Sequence, residues 1–242
     1  MPGPDTDLRV TVSHLPVELT RDAKSSDNGP VWSPDGKRIA FWRAPAGNSD
    51  PGGALWIMNA DGTNPHRVMS EFSGEVFWLS DRNVLVEQGE KVVRLDLATG
   101  VAEPFVAPKM RTILAVDRMR QWLAYQPEDA VSMKLFAMPI AGGQGRPVDT
   151  GSFDAYHPFF SPSNRWLYFQ PAHKNLYRVP GPAQSWVKAE PEKVTDFSGI
   201  DLYIDDPKIS LDGSKLFYTQ GRRTGDIVIL RFGNGAEKKK GS

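Results

Sequence analysis

The sequence predicts an all-β fold, a five-bladed β-propeller built from four-stranded antiparallel blades. Three observations lead to this prediction. A unit of about 44 residues occurs five times along the chain, and that period is typical of propeller blades. Each unit contains short apolar segments separated by turn residues, which is the pattern of strands. No segment longer than about a dozen residues has the 3.6-residue periodicity of a helix without an interrupting glycine or proline.

The repeat is clearest in a strand–turn–strand motif. Residues 31–41 have the sequence VWSPDGKRIAF, and related segments occur at 160–169 and 209–218, with weaker copies at 77–86 and 116–125. In the first copy a proline presets φ, and Gly36 accepts a positive φ; we expect the same of Gly213. The last apolar residues of the five motifs are spaced by 45, 39, 44 and 49 positions, and they are Phe41, Val86, Tyr125, Phe169 and Tyr218.

A third apolar segment follows each motif, and a short fourth segment ends each of the first four units. Pro104 and Pro147 fall in fourth segments. Proline cannot donate to a strand ladder, so these segments are predicted to be the outer edges of their blades. We expect the strand tryptophans Trp32, Trp56, Trp78 and Trp166 to pack between blades. The predicted blades cover about 27–70, 73–106, 111–150, 154–196 and 201–232.

The two ends of the chain are predicted to meet in one blade. The fifth unit has three strands and then a polar tail, 233–242, whereas residues 8–20 contain an orphan strand ahead of the first unit. Pairing the two removes two exposed sheet edges. The prediction is therefore a single domain over 1–242, closed when 8–20 adds the outer strand of the last blade.

Two stretches of the first unit carry a family resemblance. Residues 32–41 (WSPDGKRIAF) and 55–64 (LWIMNADGTN) resemble the PD40, WD40-like repeat of TolB-type β-propellers. The resemblance runs along nearly the whole chain and is strongest in units one, four and five. It departs from the family in blade number, since TolB propellers have six, and the family's α/β domain has no counterpart in this sequence.

The resemblance implies a function of binding rather than catalysis. Segments 154–182 and 201–230 also resemble propellers found at the C-terminal end of bacterial sensor proteins, kinases and transcription regulators. The implied protein is a periplasmic or sensor-linked scaffold that holds a protein partner or a small polar ligand at the mouth of its channel.

Composition narrows the classes of partner and chemistry. Lysine plus arginine and aspartate plus glutamate each number 29, which argues against nucleic acid as a partner. There is no cysteine, which excludes disulfides and thiol catalysis, and no long apolar run for membrane insertion. No secretory leader is visible. We expect a soluble protein, periplasmic if a leader or anchor was removed and otherwise cytoplasmic.

Residues just ahead of the inner strands are expected to line the mouth of the central channel. Two interpretations stay open: these side chains cap loops, or they form a polar pocket for a cation, a sugar or a peptide end. No cofactor is expected in the first case. In the second case Ca²⁺ is expected if Arg111 points outward and leaves the acidic ring unneutralised. The candidate ligand-binding residues are Asp27, Glu75, Arg111, Asp154, His157, Asp205 and Asp206.

An enzymatic alternative uses the same carboxylates. Five-bladed propellers host glycoside hydrolases whose acidic groups lie at the channel mouth, and Asp27, Glu75, Asp154 and Asp205 occupy comparable positions. A pair of carboxylates about 5–5.5 Å apart would suit retention and about 6.5–9.5 Å inversion. The sequence contains no phosphate-binding glycine loop, no His-Glu-x-x-His and no nucleophile elbow. The non-catalytic interpretation is therefore favoured, and no catalytic residue is assigned.

Overall fold

A computed structural model of the chain describes residues 18–47, 53–89, 91–105, 109–130, 132–197, 203–210 and 213–221. Within these ranges the regular structure is β-strand apart from one 3-10 turn, Pro182–Gln184. No helix in them is long and apolar enough to cross a membrane. The predicted all-β class is confirmed.

The strands form consecutive antiparallel blades. Blade 1 contains β1 (Ser25–Trp32), β2 (Arg38–Pro45), β3 (Gly53–Asn59) and the first half of β4 (His66–Trp78). Blade 2 contains the second half of β4, then β5 (Asn83–Gln88), β6 (Lys91–Asp96) and β7 (Ala102–Pro104). The long β4 thus joins the outer edge of one blade to the inner edge of the next.

The remaining sheets repeat the same order. Blade 3 contains β8 (Met110–Val116), β9 (Trp122–Pro127), β10 (Phe136–Pro139) and β11 (Arg146–Pro147). Blade 4 contains β12 (Tyr156–Phe160), β13 (Trp166–Gln170), β14 (Tyr177–Pro180) and β15 (Glu192–Lys193). A fifth sheet, which we call blade 5, contains two described strands, β16 (Tyr203–Ile209) and β17 (Leu216–Gly221). The predicted third strand of this sheet, 227–230, and residues 8–17 of the predicted closing strand lie outside the described residues.

The inner strands neighbour one another in the order β1, β4, β8, β12, β16, which is the arrangement around a central channel. The prolines Pro104 and Pro147 lie in β7 and β11, which are the outer edges of their sheets. The edge placement predicted for them is confirmed.

Apolar layers between blades form the core, and strand alternation decides which layer each residue joins. In β5, Val84 and Val86 pack in the layer between blades 1 and 2, whereas Leu85 packs between blades 2 and 3. In β9, Ala124 packs between blades 3 and 4, whereas Leu123 packs on the other side. Successive side chains on a strand point to opposite faces, so a strand buried on both faces joins two blades at once.

The predicted turns are confirmed, and one predicted core residue is wrong. Gly36 and Gly213 have φ of 68° and 74°. Of the four strand tryptophans Trp78 is buried, Trp56 and Trp166 are half-buried, and Trp32 is 56% exposed. Its neighbour Val31 packs against the layer between blades 1 and 2, so Trp32 must point to the opposite face.

Candidate functional site

The inner strands carry a β-bulge that re-aims side chains at one end of the channel. In β1, β12 and β16 the register shifts within a three-residue sequence whose last member is proline. The residue before that proline has a left-handed backbone in each case, with φ of 59° for Gly29, 45° for His157 and 47° for Asp206. Glycine adopts this conformation without steric cost, whereas other residues lose about 1–3 kcal/mol. Blades 4 and 5 therefore have a histidine and an aspartate at positions where glycine would cause less backbone strain.

The two strained residues meet at the junction of blades 4 and 5. His157 Nε2 lies 2.9 Å from Asp205 Oδ1, and His157 Nδ1 lies 3.4 Å from Asp206 Oδ1. A second histidine, His173, places its Nδ1 3.3 Å from the same Asp205 oxygen. One ligand atom from each of His157, His173 and Asp205 can be chosen so that all three lie within 4.8 Å of one another. We call these three residues the His–His–Asp cluster.

The backbone between the blades holds this cluster in place. The Ile204 amide donates to the His173 carbonyl oxygen over 3.0 Å, and Gln170 Nε2 donates to the Ile204 carbonyl oxygen over 2.6 Å. These bonds tie the end of the β12–β13 hairpin to the strand that carries Asp205. The rings of Tyr156 and His173 lie 5.2 Å apart, so an aromatic side chain also supports the second histidine.

A cavity of about 680 Å³ lies beside the cluster. Residues from blades 1, 2 and 5 line it. Its apolar wall includes Trp42 and Phe72, and its charged lining consists of Glu75, Asp206 and Lys208. This size falls in the range of small-molecule pockets, about 300–1,000 Å³.

The structure brings four of the seven sequence-predicted residues to this region. His157, Asp205 and Asp206 contact one another, and Glu75 shares the cavity lining with Asp206. The other three have different surroundings. Asp154 accepts a hydrogen bond from the Met133 amide over 3.1 Å. Arg111 is exposed on β8, and within the described ranges no carboxylate pairs with it.

Asp27 is engaged within its own blade. Its carboxylate accepts hydrogen bonds from Arg43 Nε and Nη2 over 2.6 and 2.7 Å, and both side chains are less than a fifth exposed. This hydrogen bonding holds the pKa of Asp27 below its usual range. The Arg43 guanidinium also lies 4.7 Å from the ring centroid of Trp56. Asp27 therefore acts in this structure as the counter-ion of a stacked arginine.

Glu87 is a half-buried carboxyl that the sequence interpretation missed. Burial raises its pKa, and the charge of Glu75 adds to that effect. Its Oε1 accepts hydrogen bonds from the Thr112 hydroxyl over 2.5 Å and from the Ile113 amide over 3.2 Å. A Cβ on Gly74 would lie 2.8 Å from its other oxygen, so the bulge in blade 2 needs glycine to make room for it.

His173 was also missed, although the sequence contains a signal for it. It lies 16 positions after His157 and belongs to no metal-binding spacing. The sequence does predict a hairpin here, and in the structure it pairs Tyr156 with Gln170, which brings the start of β12 and the residues just after β13 to the same end. Trp42 and Lys208, which line the cavity, have no comparable signal because their convergence depends on how blades 1 and 5 are placed.

Comparisons with known proteins support the fold. No protein-family model matches the sequence, and no curated protein matches it. A TolB from Agrobacterium tumefaciens is similar in structure over 82% of this chain and 71% of its own, with a TM-score of 0.62 and 18% identity. Oligogalacturonate lyase in complex with manganese has a TM-score of 0.59 and 14% identity over 84% of this chain.

A third similar structure is a calcium-binding regucalcin from A. tumefaciens, with a TM-score of 0.53 and 17% identity over 79% of this chain and 66% of its own. This chain spans 61% of the length of the oligogalacturonate lyase. At these identities the similarity concerns the fold alone. The described residues have a β-propeller fold, which TolB and oligogalacturonate lyase share.

Proposed function

We propose that this protein is a non-catalytic binding propeller whose cavity at the junction of blades 1, 2 and 5 takes a small polar ligand. One observation carries the proposal: three blades contribute an apolar wall and a charged lining to one pocket of ligand size. Such a combination of apolar surface with a few convergent polar groups is typical of ligand sites.

The lining favours a ligand with a flat or apolar body and a cationic group. Trp42 is half-buried and offers a ring surface for stacking, whereas Phe72 is buried in the apolar wall. Aromatic faces attract cations as well as apolar groups. Glu75 and Asp206 contribute two negative charges against the single positive charge of Lys208. A protein partner could present the same chemistry through a lysine or arginine side chain, which fits the scaffold role that the TolB resemblance implies.

The test uses thermal unfolding with a defined panel of probes: spermidine, arginine amide, a neutral disaccharide and digalacturonate. A ligand that binds only the folded protein raises the unfolding temperature. We expect the cationic probes to do so in the wild type and to lose the effect in Trp42→Ala and Glu75→Gln. Trp32→Ala, an exposed tryptophan outside the cavity lining, is the matched control and should retain it. Equal shifts in Trp42→Ala and the wild type would disprove the site.

We further propose that the fold is a closed five-bladed ring of the PD40 type, in which 8–20 supplies the outer strand of the last blade. Leu19 supports this, since it packs on Ile39, Phe41 and Met58, on the face of blade 1 away from blade 2. A Cβ on Gly62 would lie 2.9 Å from the Leu19 carbonyl oxygen, so the segment runs close against this blade. The TolB resemblance extends the proposal to a periplasmic or sensor-linked protein.

A second candidate function is carbohydrate cleavage, and the observation that favours it is the pair Glu75 and Glu87. A half-buried acid with a raised pKa beside an exposed carboxylate is an arrangement that acid–base catalysis uses. The similar structures include an oligogalacturonate lyase. Reducing-end release and the ultraviolet absorbance of unsaturated products, measured on oligogalacturonate, would separate hydrolysis from lyase chemistry. Activity that disappears in Glu75→Gln would replace the binding proposal.

A further inference from the structure

We propose that His157, His173 and Asp205 form a binding site for a divalent transition-metal ion of the Zn²⁺ class. The inference goes beyond the proposed function, because three side chains can bind a metal ion whether or not the adjacent cavity takes an organic ligand. It rests on the spacing of the donor atoms, the group behind one histidine, the strain at the cluster and the chemistry of the donors.

The donor atoms are already spaced like ligands around one ion. In a four-coordinate site with bonds of about 2.0–2.2 Å, neighbouring ligand atoms lie about 3.3 Å apart. Asp205 Oδ1 lies 2.9 Å from His157 Nε2 and 3.3 Å from His173 Nδ1. Both distances from the shared oxygen are close to that value. Small rotations of the two imidazoles would bring their nitrogens around the same centre.

A second carboxylate is placed to orient the first histidine. Asp206 Oδ1 lies 3.4 Å from His157 Nδ1, on the side of the ring away from Asp205. A carboxylate behind a metal-binding histidine accepts the N–H of the non-binding nitrogen, which leaves the other nitrogen free as a ligand. Asp206 therefore selects Nε2 of His157 as the metal-binding atom. Asp206 acts here as a positioning residue.

Two residues of the cluster, and the aspartate that orients one of them, have a strained backbone. His157, His173 and Asp206 all have positive φ, of 45°, 54° and 47°. Blade 1 has the same bulge ahead of a proline and uses Gly29 there. The fold thus tolerates glycine at this position, whereas the histidine and aspartate in blades 4 and 5 add strain and bring two polar side chains together. Such strain at converging polar side chains indicates a functional site.

The donor set determines the kind of ion. Two imidazoles and one carboxylate suit borderline ions such as Zn²⁺, Co²⁺ and Ni²⁺, whereas Ca²⁺ takes six to eight oxygen ligands. The side chains of His157, His173 and Asp205 are each about one-third exposed. Solvent therefore reaches the centre, and a fourth coordination position stays open to water or to a ligand.

The test is isothermal titration calorimetry of the metal-free protein with Zn²⁺ and, separately, with Ca²⁺. We expect one Zn²⁺ per chain and no comparable Ca²⁺ binding. Asp205→Asn and His173→Ala should each weaken Zn²⁺ binding by about 100-fold or more, and Asp206→Asn, which removes only the orienting carboxylate, by about 10- to 100-fold. His66→Ala removes an exposed histidine far from the cluster in the fold and should bind like the wild type.

Two further measurements keep the result interpretable. Circular dichroism of each metal-free variant reports whether it is folded, and Co²⁺ loading should give the visible absorption of a four-coordinate ion that His173→Ala lacks. Trp42→Ala, which affects the cavity, should retain Zn²⁺ binding, so failure of the cavity proposal and failure of the metal proposal are distinguishable. Absence of Zn²⁺ binding by the wild type would show that the cluster is only an ion-paired junction. Equal affinities of folded Asp205→Asn and the wild type would also overturn the inference.

Discussion

Replacing Asp27 with asparagine tests whether this predicted site residue is a ligand or a structural counter-ion. In the structure its carboxylate accepts two short hydrogen bonds from Arg43, and both side chains are less than a fifth exposed. A hydrogen bond to a charged group contributes about 1.5–3 kcal/mol, and breaking a fully buried pair costs about 3–5 kcal/mol. Asparagine keeps the shape and one acceptor oxygen, and the site retains some solvent contact. We therefore expect the free energy of unfolding to fall by about 2–3 kcal/mol.

Urea denaturation measures this change as a lower midpoint with an unchanged slope. Asp129→Asn is the control: Asp129 is exposed, and in the described ranges it pairs with no cation, so its midpoint should not move. The double variant with Arg43→Met completes a cycle that isolates the pair. A fall of less than about 0.5 kcal/mol in Asp27→Asn, the size of an ordinary surface change, would refute the counter-ion role and return Asp27 to the candidate ligand set.

The same variant has a predictable pH dependence. Because Arg43 lowers the pKa of folded Asp27 below the unfolded value, of about 3.9, the carboxylate stabilises the fold at pH above that unfolded value. This contribution is lost as the pH falls through the lower folded pKa. The difference in stability between the wild type and Asp27→Asn should therefore be full at neutral pH and shrink below about pH 4.

Three other predictions concern the turn at Gly36, the Glu87 carboxyl and the N-terminal segment. Gly36→Val should reduce stability by about 1–3 kcal/mol in urea denaturation, because the residue has a positive φ and no atom lies near a new Cβ, so strain is the only cost; an unchanged midpoint would contradict the assigned turn. The pKa of Glu87 is raised in the folded protein, so ionisation of its carboxyl opposes folding. Glu87→Gln should therefore become more stable relative to the wild type as pH rises, and a relative destabilisation that grows with pH would contradict this. Deleting residues 1–20 removes Leu19 from blade 1 and, on the closure proposal, exposes a sheet edge; light scattering should then detect aggregation, and a monomer that melts like the wild type would argue against closure.

The architecture of this protein is readable from its sequence because it depends on local physics. Each local signal constrains only a few neighbouring residues: strand alternation, the turn at Gly36, and the prolines Pro104 and Pro147. The repeat unit occurs five times, so the same kind of signal is present in each blade. The repeat alone groups the residues near the start of the inner strands as one class, and this class includes His157, Asp205 and Asp206. The structure places all three inside β12 and β16 rather than ahead of them.

Only the tertiary structure decided which members of that class work together. His173 joins Asp205 across 32 positions because blades 4 and 5 are placed side by side, and no pattern in either segment encodes that placement. Asp27 and Asp205 have similar positions in their repeat units, but the Asp27 carboxylate is paired with Arg43 on the neighbouring strand. Trp32 ends the inner strand of blade 1 but faces outward, since its neighbour Val31 packs on the buried face. A side chain's residue type and local backbone follow from the sequence nearby, whereas its partner depends on the packing of blades that are distant in the chain.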